Sequence, residues 1–177
     1  MPKSIKTKKR LAEQMKESMG HRSFHKISVG DICEACQLNR KSFYYHFKDK
    51  YQLVNWIYYE EFIKTVEEQN YSSMWGLLEH LCCYLYENKE FYANAFAIEG
   101  QNSFSEYFTS MLSPMFSKYL EKVMEESEDK GFLVAFYSNA LLISLRRWLV
   151  DYSEVSPDRY LKLLQEATLK MAIISEA

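Results

Sequence analysis

Apolar positions along this chain recur three and four residues apart, and no alternating run of β-branched residues bounded by turn formers interrupts them. Such spacing stacks side chains on one face of a helix. Ile5, Leu11, Ala12, Met15 and Met19 predict a first helix over Ser4 to Met19, with Gly20 as its stop. Ser28, with Asp31 three residues on, is a capping signal for a short second helix whose inner face is Val29, Ile32, Cys33 and Cys36. Gln37 and Leu38 make a brief turn, after which Asn39 can cap a third helix of about two turns over RKSFYYH. Asp49 and Gln52 open a fourth helix that runs to Val66, long enough to join two modules.

Further helices follow from Ser73 through Leu85, from Phe91 to Ile98 with a stop at Gly100, and from Ser103 to Leu120. Pro114 is expected to kink or interrupt the last of these, and EESEDKG to be its solvated exit. Phe132 to Val150 is the most apolar segment, and Ser156 with Pro157 starts a final helix through Leu161, Leu164, Met171 and Ile174. Five Gly and three Pro among 177 residues leave few turn formers, so the expected fold class is all-α. With 47 % apolar and 26 % charged residues the composition is that of a globular chain.

No apolar run reaches the ~18 residues that span a bilayer, and the opening MPKSIKTKKR lacks the apolar segment of a secretory signal, so a cytoplasmic protein without a membrane partner is expected. Cys33, Cys36, Cys82 and Cys83 lack the spacing of a disulfide framework and are read as reduced thiols. The C-x-x-C of Cys33 and Cys36 lies inside a helical pattern with no second ligand pair, so packing is favoured over a metal or redox role. Neither metal nor cofactor is expected.

Charge divides the chain. Residues 1–50 carry twelve Lys or Arg against five Asp or Glu, a net of +7, while the remaining residues carry ten against nineteen, a net of −9. The basic part is therefore the candidate for meeting a polyanion. Three short helices with a tight turn between the second and third are what a helix-turn-helix requires. At 100° per residue, Lys41 and Tyr45 point about 160° away from Phe43. Phe43 can then pack inward with Phe47, while Lys41, Ser42 and Tyr45 face a major groove, where cations and hydroxyls reach base edges or phosphates. A bland alternative is an ordinary amphipathic surface helix, and the lysines of the first helix are equally readable as a solvated face or as phosphate contacts.

Ile27 to Leu53, ISVGDICEACQLNRKSFYYHFKDKYQL, resembles the amino-terminal DNA-binding segment of the TetR/AcrR family of transcriptional regulators, with F-Y-x-H-F, K-D-K and Leu as the most specific part. The resemblance implies a homodimer on a pseudo-palindromic double-stranded DNA operator, with an effector-binding body. It implies groove-facing roles for Arg40, Lys41, Ser42 and Tyr45, phosphate contacts for Tyr44, His46 and Lys50, and an approach to the backbone or a flanking base by Ser28 and Gly30. Asn39 is counted with them. Gln37 stands where the family usually has a glycine, so its turn either avoids positive φ or tolerates a side chain there. SFYYHF, Trp56 and the RRWL at Arg146 to Leu149 resemble more narrowly a subgroup that includes activators of dihydroxyacetone kinase operons.

The expected division is a helix-turn-helix domain at 1–50 and a helical ligand-binding and dimerisation domain at 51–177. Phe132, Phe136 and Ile143, with Leu161, Leu164 and Met171, recur at helical spacing and could pair two copies as a four-helix bundle or simply fill an internal core. Trp75, His80, Phe108 and Asn139 are candidates for an effector pocket, although aromatic stripes are more often core. The controlling partner is read as a small molecule or, alternatively, a coregulator protein. An enzyme is not expected: no histidine has a Glu three residues before it, and no Gly-rich phosphate loop, G-x-S-x-G or H-E-x-x-H is present.

Overall fold

Helix α1 (Lys3–His21) buries Leu11, Ala12, Met15 and Met19 along one face, and Gly20 lies inside it rather than stopping it. The computed structural model describes residues 3–69, 71–120 and 130–174, and the regular elements among them are all helical. A single 3-10 turn (Phe24–Lys26) leads into α2 (Val29–Ala35). There the Ser28 hydroxyl accepts the Asp31 N–H at 3.1 Å and the Asp31 carboxylate accepts the Ser28 N–H at 2.9 Å, the reciprocal cap that the spacing predicts.

Helix α2 ends in two nested bonds, Gln37 N–H to the Glu34 carbonyl at 2.9 Å and Leu38 N–H to the Cys33 carbonyl at 2.8 Å. That Schellman pattern needs a left-handed residue, and Gln37 supplies it with φ of 50°. The turn therefore tolerates a side chain where glycine is usual. Helix α3 (Arg40–His46) starts where the Asn39 side chain accepts the Ser42 N–H at 2.8 Å, and α4 (Lys50–Tyr58) where Asp49 accepts that of Gln52 at 2.8 Å.

From α4 one rod continues through a π turn (Tyr59–Ile63) into α5 (Lys64–Glu68). The Lys64 N–H reaches back five residues to the Tyr59 carbonyl, which inserts one residue and turns everything beyond by about 100°. Phe62 and Ile63 are thereby buried.

The body comprises α6 (Met74–Glu87), α7 (Lys89–Phe96), α8 (Phe104–Leu120), α9 (Lys130–Asp151) and α10 (Pro157–Ile174). Pro114 does not interrupt α8; the ring is exposed, so the carbonyl it deprives of a helical partner faces the solvent side. EESEDKG falls mostly outside the described residues. Helix α8 packs along α9, α10 on α6, and α1 on α7. Tyr58, Phe62, Tyr84, Tyr92, Phe96, Phe104 and Phe108 interlock by edge and face contacts with centroids 5.1–6.5 Å apart. Trp148 is sandwiched between Tyr86 at 5.7 Å and Tyr160 at 4.2 Å, which fixes α9 against α6 and α10.

Helix α9 departs from expectation. It is 22 residues long and, by length and composition, apolar enough to cross a membrane, with only 28 % of its most apolar window buried. The pattern marks this stretch as the most apolar of the chain, while Ser138, Asn139, Ser144, Arg146 and Arg147 keep every uninterrupted apolar run short.

Candidate nucleic-acid interface

Seven residues are too few to hold a helix by themselves, so α3 takes its orientation from what it buries. Phe43 is completely buried and Phe47 almost so, and truncating either would cost about 3–5 kcal/mol. With those rings inward, Arg40, Lys41, Tyr44 and Tyr45 are left exposed, Tyr45 at 82 % and Tyr44 at 57 %. An 82 % exposed phenol contributes little to the core, and the Tyr45 ring rests edge-on against His46 at 5.0 Å. The Ser42 hydroxyl donates to the Asn39 side-chain oxygen at 3.0 Å, which ties both residues to the cap while leaving them at the head of the exposed face.

The start of α2 meets this face. A Cβ on Gly30 would lie 2.6 Å from the Arg40 guanidinium, so the absent side chain gives Arg40 its resting place. Ser28, Gly30 and Arg40 thus come together. The Ser28 N–H and hydroxyl hold the Asp31 carboxyl below its ordinary pKa, with smaller help from Arg22 and Arg40. At the other end of α3, desolvation first and the nearby Lys8 charge second hold His46 below the usual histidine value. Lys8 itself lies over the rings of Phe47 at 5.5 Å and Trp56 at 5.6 Å, so one lysine of the first helix joins this flank.

Two cations of the head, Lys50 and Arg10, turn inward. Lys50 donates to the carbonyls of Phe24 at 2.7 Å and Ile27 at 2.8 Å and sits 4.1 Å from the centre of the Phe24 ring. Two of its three N–H bonds are therefore spent inside the head, and desolvation lowers its pKa. Its first task is to clip α4 to the 3-10 turn, a role different from the expected phosphate contact. Arg10 donates to the Cys36 carbonyl at 2.5 Å while the Cys36 thiol donates to the Arg10 carbonyl at 3.4 Å, fastening α1 to the turn before α3. Cys36 is accordingly a packing and hydrogen-bonding residue.

The four residues expected to form an effector pocket do not converge. Phe108 is wholly buried in the ring cluster, His80 meets Tyr71 and Phe62 at its edge, Trp75 is half-buried, and Asn139 is exposed on α9. Helical spacing alone could not assign Asn139 to a face, because α9 is apolar on both sides. Phe132 and Ile143 are 70 % and 61 % exposed, Phe136 is exposed, and Leu161 and Leu164 are half-buried. The side chain of Met171 lies outside the described residues.

Sequence reasoning overlooked the residues that join head to body. Asn94 on α7 accepts the Phe24 N–H at 3.2 Å and donates to the carbonyls of Met19 at 2.8 Å and Arg22 at 2.7 Å. Lys16 on α1 pairs with Glu61 at 2.7 Å, Glu61 accepts the Tyr84 hydroxyl at 3.1 Å, and Tyr84 meets Tyr92 at 2.5 Å. No local pattern marks them.

Residues 14–57 match the family described as bacterial regulatory proteins, tetR family, and residues 73–170 match one described as a transcriptional regulator C-terminal region. The chain is 31 % identical over 132 residues to the HTH-type dhaKLM operon transcriptional activator DhaS of Lactococcus lactis subsp. lactis (strain IL1403), covering 74 % of this chain and 67 % of that one. Its structure is similar to that of a dihydroxyacetone kinase operon activator DhaS, with TM-score 0.69, 26 % identity and 97 % of each chain covered. At 17 % identity and TM-score 0.64, covering 94 % of this chain and 96 % of the other, the fold is also that of NalD, the secondary repressor of the MexAB-OprM multidrug efflux pump in Pseudomonas aeruginosa.

Proposed function

The chain belongs to the TetR family of bacterial transcriptional regulators, and from that premise we propose that two copies bind a pseudo-palindromic operator in the cytoplasm through α3. It is a regulator and not an enzyme. The outward set of Arg40, Lys41, Ser42 and Tyr45 above the buried Phe43 and Phe47 carries the reading. Lys41 donates to guanine edges, while Tyr44, His46 and Lys8 along the flank meet phosphates. Ser28 and Gly30 approach the backbone beside Arg40.

The exposed side of α9, with Phe132, Phe136 and Ile143, supports pairing of two bodies, with α10 contributing Leu161 and Leu164 at its margin. Division into a head at 1–50 and a body at 51–177 is retained as the functional one. For control, a small-molecule effector and a coregulator protein are the two readings. The rings that fill the body around Phe108 support the coregulator. Likeness to the DhaS proteins supports activation as its sense.

The test is selection of duplexes from a random pool by the native protein, followed by binding of every single-base variant. Lys41→Ala is expected to reduce discrimination at one or two positions per half-site by about 1–3 kcal/mol while preserving affinity for other sequences. Equal weakening on all duplexes would instead make Lys41 a phosphate contact, and no selected sequence at all would defeat the operator reading. A reporter placed behind the selected duplex reads whether transcription rises or falls.

A further inference from the structure

We infer that Asn94, a body residue outside the DNA-contacting face, is a positioning residue for operator recognition, because it sets the angle at which the head leaves the body. The last carbonyls of a helix have no partners within it, and at the end of α1 the free carbonyl of Met19, with that of Arg22 just beyond the helix, is taken by one side-chain amide nitrogen. The oxygen of the same amide accepts the Phe24 N–H, the first of the 3-10 turn. One side chain on α7 therefore grips both sides of the bend between α1 and α2. It does so with a planar group whose donors and acceptor are fixed at an angle to one another, so sliding or rotation of that bend breaks at least one bond.

A second attachment lies one turn back along α1. Lys16 meets Glu61, which stands on the π turn of the α4 rod and also accepts the hydroxyl of Tyr84. Tyr84 in turn meets Tyr92, two residues from Asn94 on α7. Two points on α1 are thus held by α7, one directly and one through a side-chain relay, and a rigid helix held at two points keeps its direction. That direction governs where α3 sits, since α1 is fastened to the turn before α3 by Arg10 and Cys36.

This inference rests on the proposed binding of two copies to a pseudo-palindrome, in which the separation of the heads must match successive major grooves. A head held at a fixed angle fits one half-site separation; a loosened head fits several, each less well. The experiment uses the full-length protein and the duplex it selects from a random pool, in three forms: the selected spacing, one base pair inserted at the centre, and one removed. A duplex with a single half-site accompanies them. Native protein is expected to favour the selected spacing, and Asn94→Ala to lose about tenfold in affinity there while losing less on the altered spacings, so that the profile flattens. Base discrimination within each half-site and affinity for the single half-site stay as in the native protein.

Glu61→Gln provides a second variant at the other attachment, and it too should flatten the profile. Equal loss on single and paired half-sites would mean that the head itself is damaged, which overturns the positioning role. An unchanged spacing profile in both variants overturns it as well. If native protein selects no duplex, the operator reading falls first and the inference with it, an outcome distinct from a native spacing preference that the variants retain.

Discussion

Lys50 illustrates how a single side chain can be diverted from the surface. Its ammonium gives two of its three N–H bonds to main-chain carbonyls, and without it the Phe24 and Ile27 oxygens lose their charged partner. Lys50→Met, which keeps the apolar stem, is expected to destabilise the protein by about 1–2 kcal/mol, less than a fully buried charged bond because the site is only half-buried. Urea unfolding measures this loss, and DNA affinity of the folded variant at low temperature should fall by less than the same free energy. Partners so far along the chain explain why the role was invisible beforehand. The carbonyls lie 26 and 23 residues from Lys50, and those gripped by Asn94 lie 75 and 72 residues away. Ser28, Asn39, Asp49 and Ser73 act over three residues, so their capping could be read from adjacent letters.

For the elements, apolar spacing identified most helices but not their irregularities. The turn before α3 is one. A left-handed residue other than glycine costs about 1–2 kcal/mol, so Gln37→Gly should raise stability by about 1 kcal/mol after the added freedom of the unfolded chain is subtracted. Thermal and urea midpoints should both rise, with duplex preference unchanged, and a fall in either would mean that the Gln37 side chain makes a compensating contact. The π turn of the α4 rod left no mark in the sequence, because inserting one residue preserves apolar letters and changes only which face they occupy. The face of α3 was legible for the opposite reason: Phe43 and Phe47 are one helical turn apart, and their burial leaves only one direction for Lys41 and Tyr45.

Across the whole molecule, the head and body share one continuous set of buried apolar side chains, while a long stretch of α9 remains outside it. The proposed pairing across that stretch makes stability depend on concentration. Thermal midpoints are expected to rise as protein concentration increases, with each tenfold step worth about 1.4 kcal/mol per mole of dimer. Ile143→Asp should abolish the dependence and yield a monomer by sedimentation; a midpoint independent of concentration in the native protein, together with a monomeric mass, would remove α9 from any pairing. The apolar length of α9 could be read in advance but its exposure could not, since the same letters serve an internal core and an interface.

The exposed flank of α9 also bears on gene dosage. Under the proposed pairing, paired molecules accumulate as the second power of the free ones, so halving expression would remove considerably more than half of the paired species when copies are scarce. A promoter under such a pair would respond more steeply than in proportion to the abundance of its regulator, before any effector or coregulator is added.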